Sequence, residues 1–219
     1  MLDTPVGDVE LGVIPTGRGR DVIRNFGIAA DPDVAIGRLV VGTATLLDAG
    51  VIESKEGRRH FLGAAGAGFD AEVARRTDLG RAPGTLSYLI GIFGTLRNLH
   101  AVRSRVAIDG RVWTGRAIGV VVANGSWYGG GMRIAPEASV ADGVLEVIIF
   151  GEIGRVELVR WLPTVYQGTH LLNPHIVALR GRDITIEADE PLPVHVDGEV
   201  TATTPVRAYV RPGALRLRR

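Results

Sequence analysis

Apolar residues along this chain keep two different periods, and the change of period divides it into two unequal parts. Near the start, Val9-Glu10-Leu11-Gly12-Val13-Ile14 is a short apolar run closed by Pro15, which predicts a buried strand. Thr16 to Arg20 reads as a loop, and Asp21 as the N-cap of a short helix reaching about Phe26, with Gly27 behind it. Asp31-Pro32 gives a second helix its cap and first-turn proline, and Val34, Ile36, Leu39 and Val40 supply its apolar side. From about Thr43 the alternation shortens to the strand period. Strands are predicted over 45–48, 60–65, 103–109, 112–117, 119–124, 145–150, 184–188, 193–197, 206–210 and 214–217. Asp109-Gly110 and Asp197-Gly198 mark hairpins, because a type I′ turn needs positive φ at both central residues. Two helices interrupt the strands. Thr85 to Leu99 places Leu86, Leu89, Ile90, Phe93 and Leu96 on one face, and Arg155 to Gln167 carries Pro163 inside it and ends at Gly168. Short strands at this spacing predict an α+β chain, mostly β, built as a β-sandwich or barrel.

The first part does not fit that architecture. One strand and two helices cannot form an α/β layer, since a parallel sheet needs several strands covered on both faces. This βα stub therefore docks on the β-rich body, or takes its missing strands from another chain, or has lost a part upstream of Met1. Composition removes several functions. The chain has 219 residues and no cysteine, which excludes disulfide scaffolds, thiolate zinc sites and cysteine nucleophiles. Basic and acidic residues number 25 and 24, a balance that gives no charge for gripping nucleic acid. The start carries no signal-peptide pattern, and no apolar run is long enough to span a membrane, so a cytoplasmic location is expected.

Four segments carry candidate chemistry, each with a plain structural alternative. Gly17-Arg18-Gly19-Arg20-Asp21 follows a strand and opens a helix, where glycines let backbone approach an anion and arginines suit phosphate; the alternative is a solvated loop. Asn124-Gly125-Ser126-Trp127-Tyr128-Gly129-Gly130-Gly131 sets two aromatics beside three glycines, either lining a cavity or filling a wide connection. Asp142-Gly143 is a turn whose carboxylate, joined by backbone carbonyls, has the ligand mix of magnesium or calcium. His195-Val196-Asp197-Gly198-Glu199 places an imidazole and two acids on one strand face unless the turn reorients them. The histidines show no metal-ligand spacing, and no complete phosphate-loop or dinucleotide fingerprint is present.

In order, these segments resemble one family, the bacterial lipid kinases with a diacylglycerol kinase catalytic domain, relatives of sphingosine kinases. Leu11 to Asp21 resembles the family's strand and P-x-G-T-x-N-D loop, and Gly68-Phe69-Asp70-Ala71 its G-F-D-A element. Ala123-Asn124-Gly125 through Tyr128-Gly129-Gly130-Gly131 and Ile134-Ala135-Pro136 resembles its A-N-G…Y-G-G-G…I-A-P run. Asp142-Gly143-Val144-Leu145 matches D-G-x-L, and Pro193 to Glu199 matches P-x-H-x-D-G-E. The resemblance implies a remnant of an α/β nucleotide-binding domain over 1–42 and a β-sandwich substrate and catalytic domain over 43–219. It implies ATP and Mg2+ as cofactors, and a diacylglycerol or sphingoid-like lipid as acceptor. Glu199 would be the general base with Asp197 beside it, and Gly17, Arg18, Gly19, Arg20 and Asp21 would lie against the nucleotide. Ser139 and Val144 carbonyls and the Asp142 carboxylate would hold the magnesium, and Asp70, Asn124 and Tyr128 would line the substrate cleft. Partner expectations are a lipid substrate, peripheral contact at the inner membrane face, no nucleic acid, and either a homodimer or a separate nucleotide-binding half. Two positions depart from the pattern: Arg18 stands where the family has threonine, and Arg20 where it has asparagine. The family's G-G-D-G-T phosphate motif, which precedes the first strand, is absent from this sequence. A non-catalytic lipid- or partner-binding module is the alternative, and an NAD kinase-like activity a remoter one.

Overall fold

The computed structural model describes residues 9–16, 20–78 and 91–219. Its body is one antiparallel sheet of eleven strands: β1 (Ala44–Ser54), β2 (Gly57–Phe61), β3 (Ala64–Gly68), β4 (Val102–Ile108), β5 (Arg111–Ala123), β6 (Leu145–Gly151), β7 (Ile176–Gly181), β8 (Asp183–Ala188), β9 (Pro193–Val196), β10 (Glu199–Thr203) and β11 (Val206–Arg218). The path runs β10-β9-β3-β5-β4-β8-β11-β1-β2, and β6 and β7 branch from β5. Strands distant along this path share one core. Ile52 of β1, Phe61 of β2, Val106 of β4, Val122 of β5, Ile186 of β8 and Val194 of β9 pack together, so the sheet curls and closes on its own inner face. A mostly β sandwich is therefore what the chain forms.

β5 explains the third layer. Its first half alternates exposed and half-buried positions and pairs with β4. Its second half, from Ala117 to Ala123, is buried at every position and pairs with β3 and β6. Val120 and Val122 enter the inner core, while Val121 and Ala123 point outward to a second core with Ala64, Ile134, Ile148 and Val165. That outer core lies beneath helices α4 (91–95) and α5 (Arg155–Gln167). A strand half covered on both faces loses its alternation, which is why the sequence shows a continuous apolar run there.

Several expectations change in the structure. Val9 to Ile14 forms no strand; it makes a single parallel bridge, Leu11 to Leu217, with Leu11 N–H donating to Arg216 O and Arg218 N–H to Leu11 O. Val9 and Ile14 are exposed, and among the described residues the stub docks on the body along one edge, at β11. Asp21 is the first residue of α1 (Asp21–Asn25), with Arg20 at the cap position and no side-chain cap bond. The second helix forms as read: α2 (Pro32–Val41) is capped by Asp31, whose carboxylate accepts from Asp33 and Val34 N–H. The segments 112–117 and 119–124 are one strand, as are 206–210 and 214–217, while 60–65 breaks between β2 and β3. Strands β7 and β10 and helix α3 (Phe69–Asp78) were not foreseen by the period. In α3, Ala71, Val73 and Ala74 face inward, too few and too small to register as a helical stripe. Arg155–Gln167 matches its prediction, Pro163 included, and ends on Gly168 in the left-handed conformation. Leu86, Leu89 and Ile90 lie outside the described residues. Of the remaining face Phe93 is exposed, and Ile92 takes the buried position.

His170 sits wholly inside the outer core, donating through Nε2 to the Ile134 carbonyl at 3.1 Å and stacking on Phe150. Burial drives its pKa down to about 4 from 6.5. The unfolded chain therefore binds a proton below pH 6.5 that the folded chain refuses until about pH 4, so stability falls across that window as pH drops. Urea titrations should show the protein losing about 2 kcal/mol between pH 7 and pH 5 relative to His170→Gln. Equal losses in the two proteins would assign the acid sensitivity elsewhere.

Candidate functional site

The polar centre of the molecule is assembled from three remote segments. β3 ends at Gly68 and α3 begins at once, which puts Asp70 in the first helical turn, where the helix dipole favours a carboxylate. The residue is 8% exposed. Tyr128, from the glycine-rich loop after β5, donates its hydroxyl to Asp70 Oδ1 at 2.5 Å. His195, on β9, meets Asp70 Oδ2 at 2.5 Å through Nε2 and is 1% exposed. Gly198 N–H donates to His195 Nδ1 at 3.2 Å, which leaves the ring proton on Nε2, directed at Asp70. The Tyr128 and His195 rings lie nearly parallel, 6.3 Å apart. Gly66 makes this possible: a Cβ there would stand 2.2 Å from Asp70 Oδ2 and 2.6 Å from His195 Nε2.

Asp70 and Tyr128 form the polar end of a narrow cavity of about 60 Å³. Its other walls are apolar: Ile118 from β5, Phe150 from β6, Ile92 from α4, and Leu158, Leu162 and Val165 from α5. The cavity thus runs from a buried carboxylate into the layer between sheet and helices.

The turn between β9 and β10 reorients the three residues that a straight strand would have aligned. Asp197 and Gly198 both take positive φ, at 47° and 94°. Asp197 stands exposed at the turn, but its carboxylate points back and accepts the N–H groups of Leu62, Gly63 and Ala64 at 2.8, 2.9 and 3.1 Å. Desolvation by that packing raises its pKa, against the lowering effect of the three donors. Glu199, opposite Val196 at the start of β10, is exposed, and its carboxylate has no hydrogen bond or ion pair among the described residues.

From Asp197 a chain of hydrogen bonds crosses to the Asp142 turn. Gly63 O accepts from Asn124 N–H at 2.9 Å, and the Asn124 amide donates to Leu62 O and to Asp48 O at 3.0 and 3.1 Å. Asp48, 3% exposed, accepts from Gly143 N–H at 2.7 Å and from Gly213 N–H at 2.8 Å. Asn124 is therefore fully buried in this connection, while Asp70 and Tyr128 meet at the cavity.

At the turn itself, Asp142 Oδ1 accepts from Val144 N–H at 3.2 Å and Oδ2 from Arg180 at 2.8 Å. Arg180 also approaches Glu146, whose carboxyl is raised by burial, with the arginine pulling it back. A carboxylate and the neighbouring Ser139 and Val144 carbonyls are hard oxygen donors of the kind magnesium takes, and the turn already holds a cation in Arg180. The donor chemistry fits such an ion.

Gly17, Arg18 and Gly19 lie outside the described residues. Arg20 is exposed, and Asp21 accepts Gly130 N–H at 2.7 Å. Asn25 bonds both the N–H and the carbonyl of Trp127, at 2.9 and 2.8 Å, so α1 is stapled to the glycine-rich loop at both ends. Sequence reasoning missed Asn25 and Asp48. Asp48 had a signal: an acid inside an otherwise apolar strand must find partners.

The site thus joins a buried carboxylate to the head of a small apolar cavity in a curled antiparallel sandwich. Comparison with known proteins identifies the family. The family model of the YegS C-terminal NAD kinase beta sandwich-like domain matches residues 63–219. The chain is 30% identical over 216 residues to a diacylglycerol kinase of Mycobacterium tuberculosis, covering 97% of this chain and 70% of that one. It is 32% identical over 213 residues to a Pseudomonas aeruginosa protein named "Probable lipid kinase YegS-like", covering 96% and 68%. A diacylglycerol kinase structure from Bacillus anthracis shares the fold, with TM-score 0.69 at 18% identity, over 95% of this chain and 66% of that one. The chain belongs to the family of diacylglycerol kinases and YegS-type lipid kinases. The similarity to these relatives extends over 97% and 96% of this chain.

Proposed function

We propose that this chain is the acceptor-binding and catalytic portion of an ATP-dependent lipid kinase, moving the γ-phosphoryl group of ATP to a lipid hydroxyl. The observation that carries the reading is the apolar cavity ending at Asp70 and Tyr128, beside a hairpin that presents Glu199 to solvent. The lipid hydroxyl would sit at that polar end. Glu199 would take its proton as the oxygen attacks the γ-phosphorus and ADP leaves. Asp197, bonded to three backbone N–H groups, would fix the hairpin that carries Glu199. Residues 17–21 would face the nucleotide, as the closing part of a nucleotide-binding unit over 1–42. The Ser139 and Val144 carbonyls and the Asp142 carboxylate would hold Mg2+, whose charge would steady the turn joined through Asp48 and Asn124 to the catalytic hairpin.

The cavity's ~60 Å³ holds about two waters' worth of volume, so an acyl chain enters only if α4 and α5 move outward. Outward movement of α5 would unpack little, because Val165 is its only buried residue. The test is direct. Incubation with γ-labelled ATP, Mg2+ and diacylglycerol should yield labelled phosphatidate. No label with diacylglycerol or a sphingoid base would overturn the kinase reading and leave the binding module in its place.

A further inference from the structure

We infer that His195 is a positioning residue that ties the polar end of the cavity to the hairpin carrying Glu199. The seat of the acceptor hydroxyl and the base are thereby held in one frame. The inference deepens the lipid-kinase reading and rests on it for its purpose, while its first test needs neither lipid nor nucleotide.

Both ring nitrogens are committed, in opposite directions. Nε2 directs its hydrogen to Asp70 Oδ2 at 2.5 Å, and Nδ1 accepts from Gly198 N–H at 3.2 Å. The other tautomer would set one N–H against another at Gly198 and a lone pair against the Asp70 carboxylate, so the surroundings admit a single tautomer. The ring is also held in place. It is 1% exposed and lies 6.3 Å from the Tyr128 ring at an interplanar angle of 6°. Gly66, its partner on β3, leaves the space in which it meets Asp70. A side chain fixed by packing and by hydrogen bonds at both ends passes a displacement on instead of absorbing it.

His195 does not meet the acceptor itself. The described walls of the cavity include Asp70 and Tyr128 but not His195. On its other side, Gly198 immediately precedes Glu199. Asp197 gives the hairpin a separate anchor on the N–H groups of Leu62, Gly63 and Ala64, and none of those three lines the cavity. Asp197 therefore fixes the hairpin to the sheet, and His195 sets it in register with Asp70. Filling the space alone would be served by an apolar side chain, without the cost of desolvating an imidazole. Satisfying Asp70 alone would need only one nitrogen.

Amide NMR tests the link on the protein without lipid or nucleotide. Asp70→Asn keeps the shape of the side chain but withdraws the charged acceptor of the His195 proton, which weakens Nδ1 as an acceptor in turn. The Gly198 amide proton should move upfield and exchange with solvent on the order of tenfold faster. The Gly110 amide, in the matching Asp109-Gly110 turn, should not respond. A Gly198 amide that Asp70→Asn leaves unchanged overturns the inference, and so does an equal change at Gly110, which marks general loosening.

Kinetics with a water-soluble short-chain diacylglycerol then separate the two sides of the ring. His195→Gln sets an amide N–H near the place of Nε2, keeping the Asp70 bond and losing the Gly198 one. Its kcat should fall on the order of tenfold to a hundredfold, with KM for the lipid little changed. His195→Asn sets an amide oxygen near the place of Nδ1, keeping the Gly198 bond and losing the Asp70 one. Its KM should rise on the order of tenfold, with kcat less affected. A side chain that only packed would lower the melting temperature in both variants and move the two constants alike, and that result overturns the inference. No turnover in the unaltered protein removes the kinase reading, and the Gly198 amide then decides by itself whether the link stands.

Discussion

Glu199→Gln is expected to lower the rate of lipid phosphorylation by about 10²–10⁴-fold while leaving the melting temperature unchanged. Both halves of that expectation come from the same observation. Glu199 is exposed at the start of β10 and its carboxylate makes no hydrogen bond or ion pair among the described residues, so the amide disturbs nothing that holds the hairpin. The amide, however, cannot take the acceptor's proton. The loss should fall on kcat, with KM for the lipid changed little, because the carboxylate acts as the hydroxyl reacts rather than as the lipid binds. Asp197→Asn makes the contrast. It weakens the acceptor for three backbone N–H groups, so activity and stability should fall together. Undiminished turnover in Glu199→Gln would remove this residue from the chemistry.

The second large effect belongs to Asp70. Asp70→Ala leaves the Tyr128 hydroxyl and the His195 Nε2–H without their acceptor inside the protein, and should cost about 2–4 kcal/mol. For a chain of this length that is a fall in Tm of roughly 5–15 °C by calorimetry. Tyr128→Phe should cost less, and the double variant less than the sum, because both changes break the same hydrogen bond. Additive costs would mean that the three groups do not act as a unit. Gly66→Ala offers an independent check, since its methyl would press on Asp70 and His195 while removing no polar group.

The local rules were legible where local physics decides. Asp31-Pro32 capped its helix, Gly168 ended α5, and Asp197-Gly198 made its hairpin, since each depends on a few neighbouring dihedrals. The lipid-kinase motifs were legible too, and the comparisons place the chain in that family. What the period misjudged was continuity. β5 and β11 each run for 13 residues because partners on either side keep pairing past the point where the alternation fades. The opening run Val9 to Ile14 failed in the opposite sense. It has strand composition, but among the described residues it pairs only through the Leu11 bridge to β11, and composition alone cannot supply a second partner strand.

The sequence by itself determined the mostly β architecture, the positions of the turns and the family, because each is written in residues close together along the chain. Only the tertiary structure decided which of the singled-out residues share a site. Asp70 meets His195 across 125 residues, and Asn124 joins Asp48 across 76. Such pairings follow from how a curled sheet brings strand ends together, and closing the sheet on one core is a property of the whole chain.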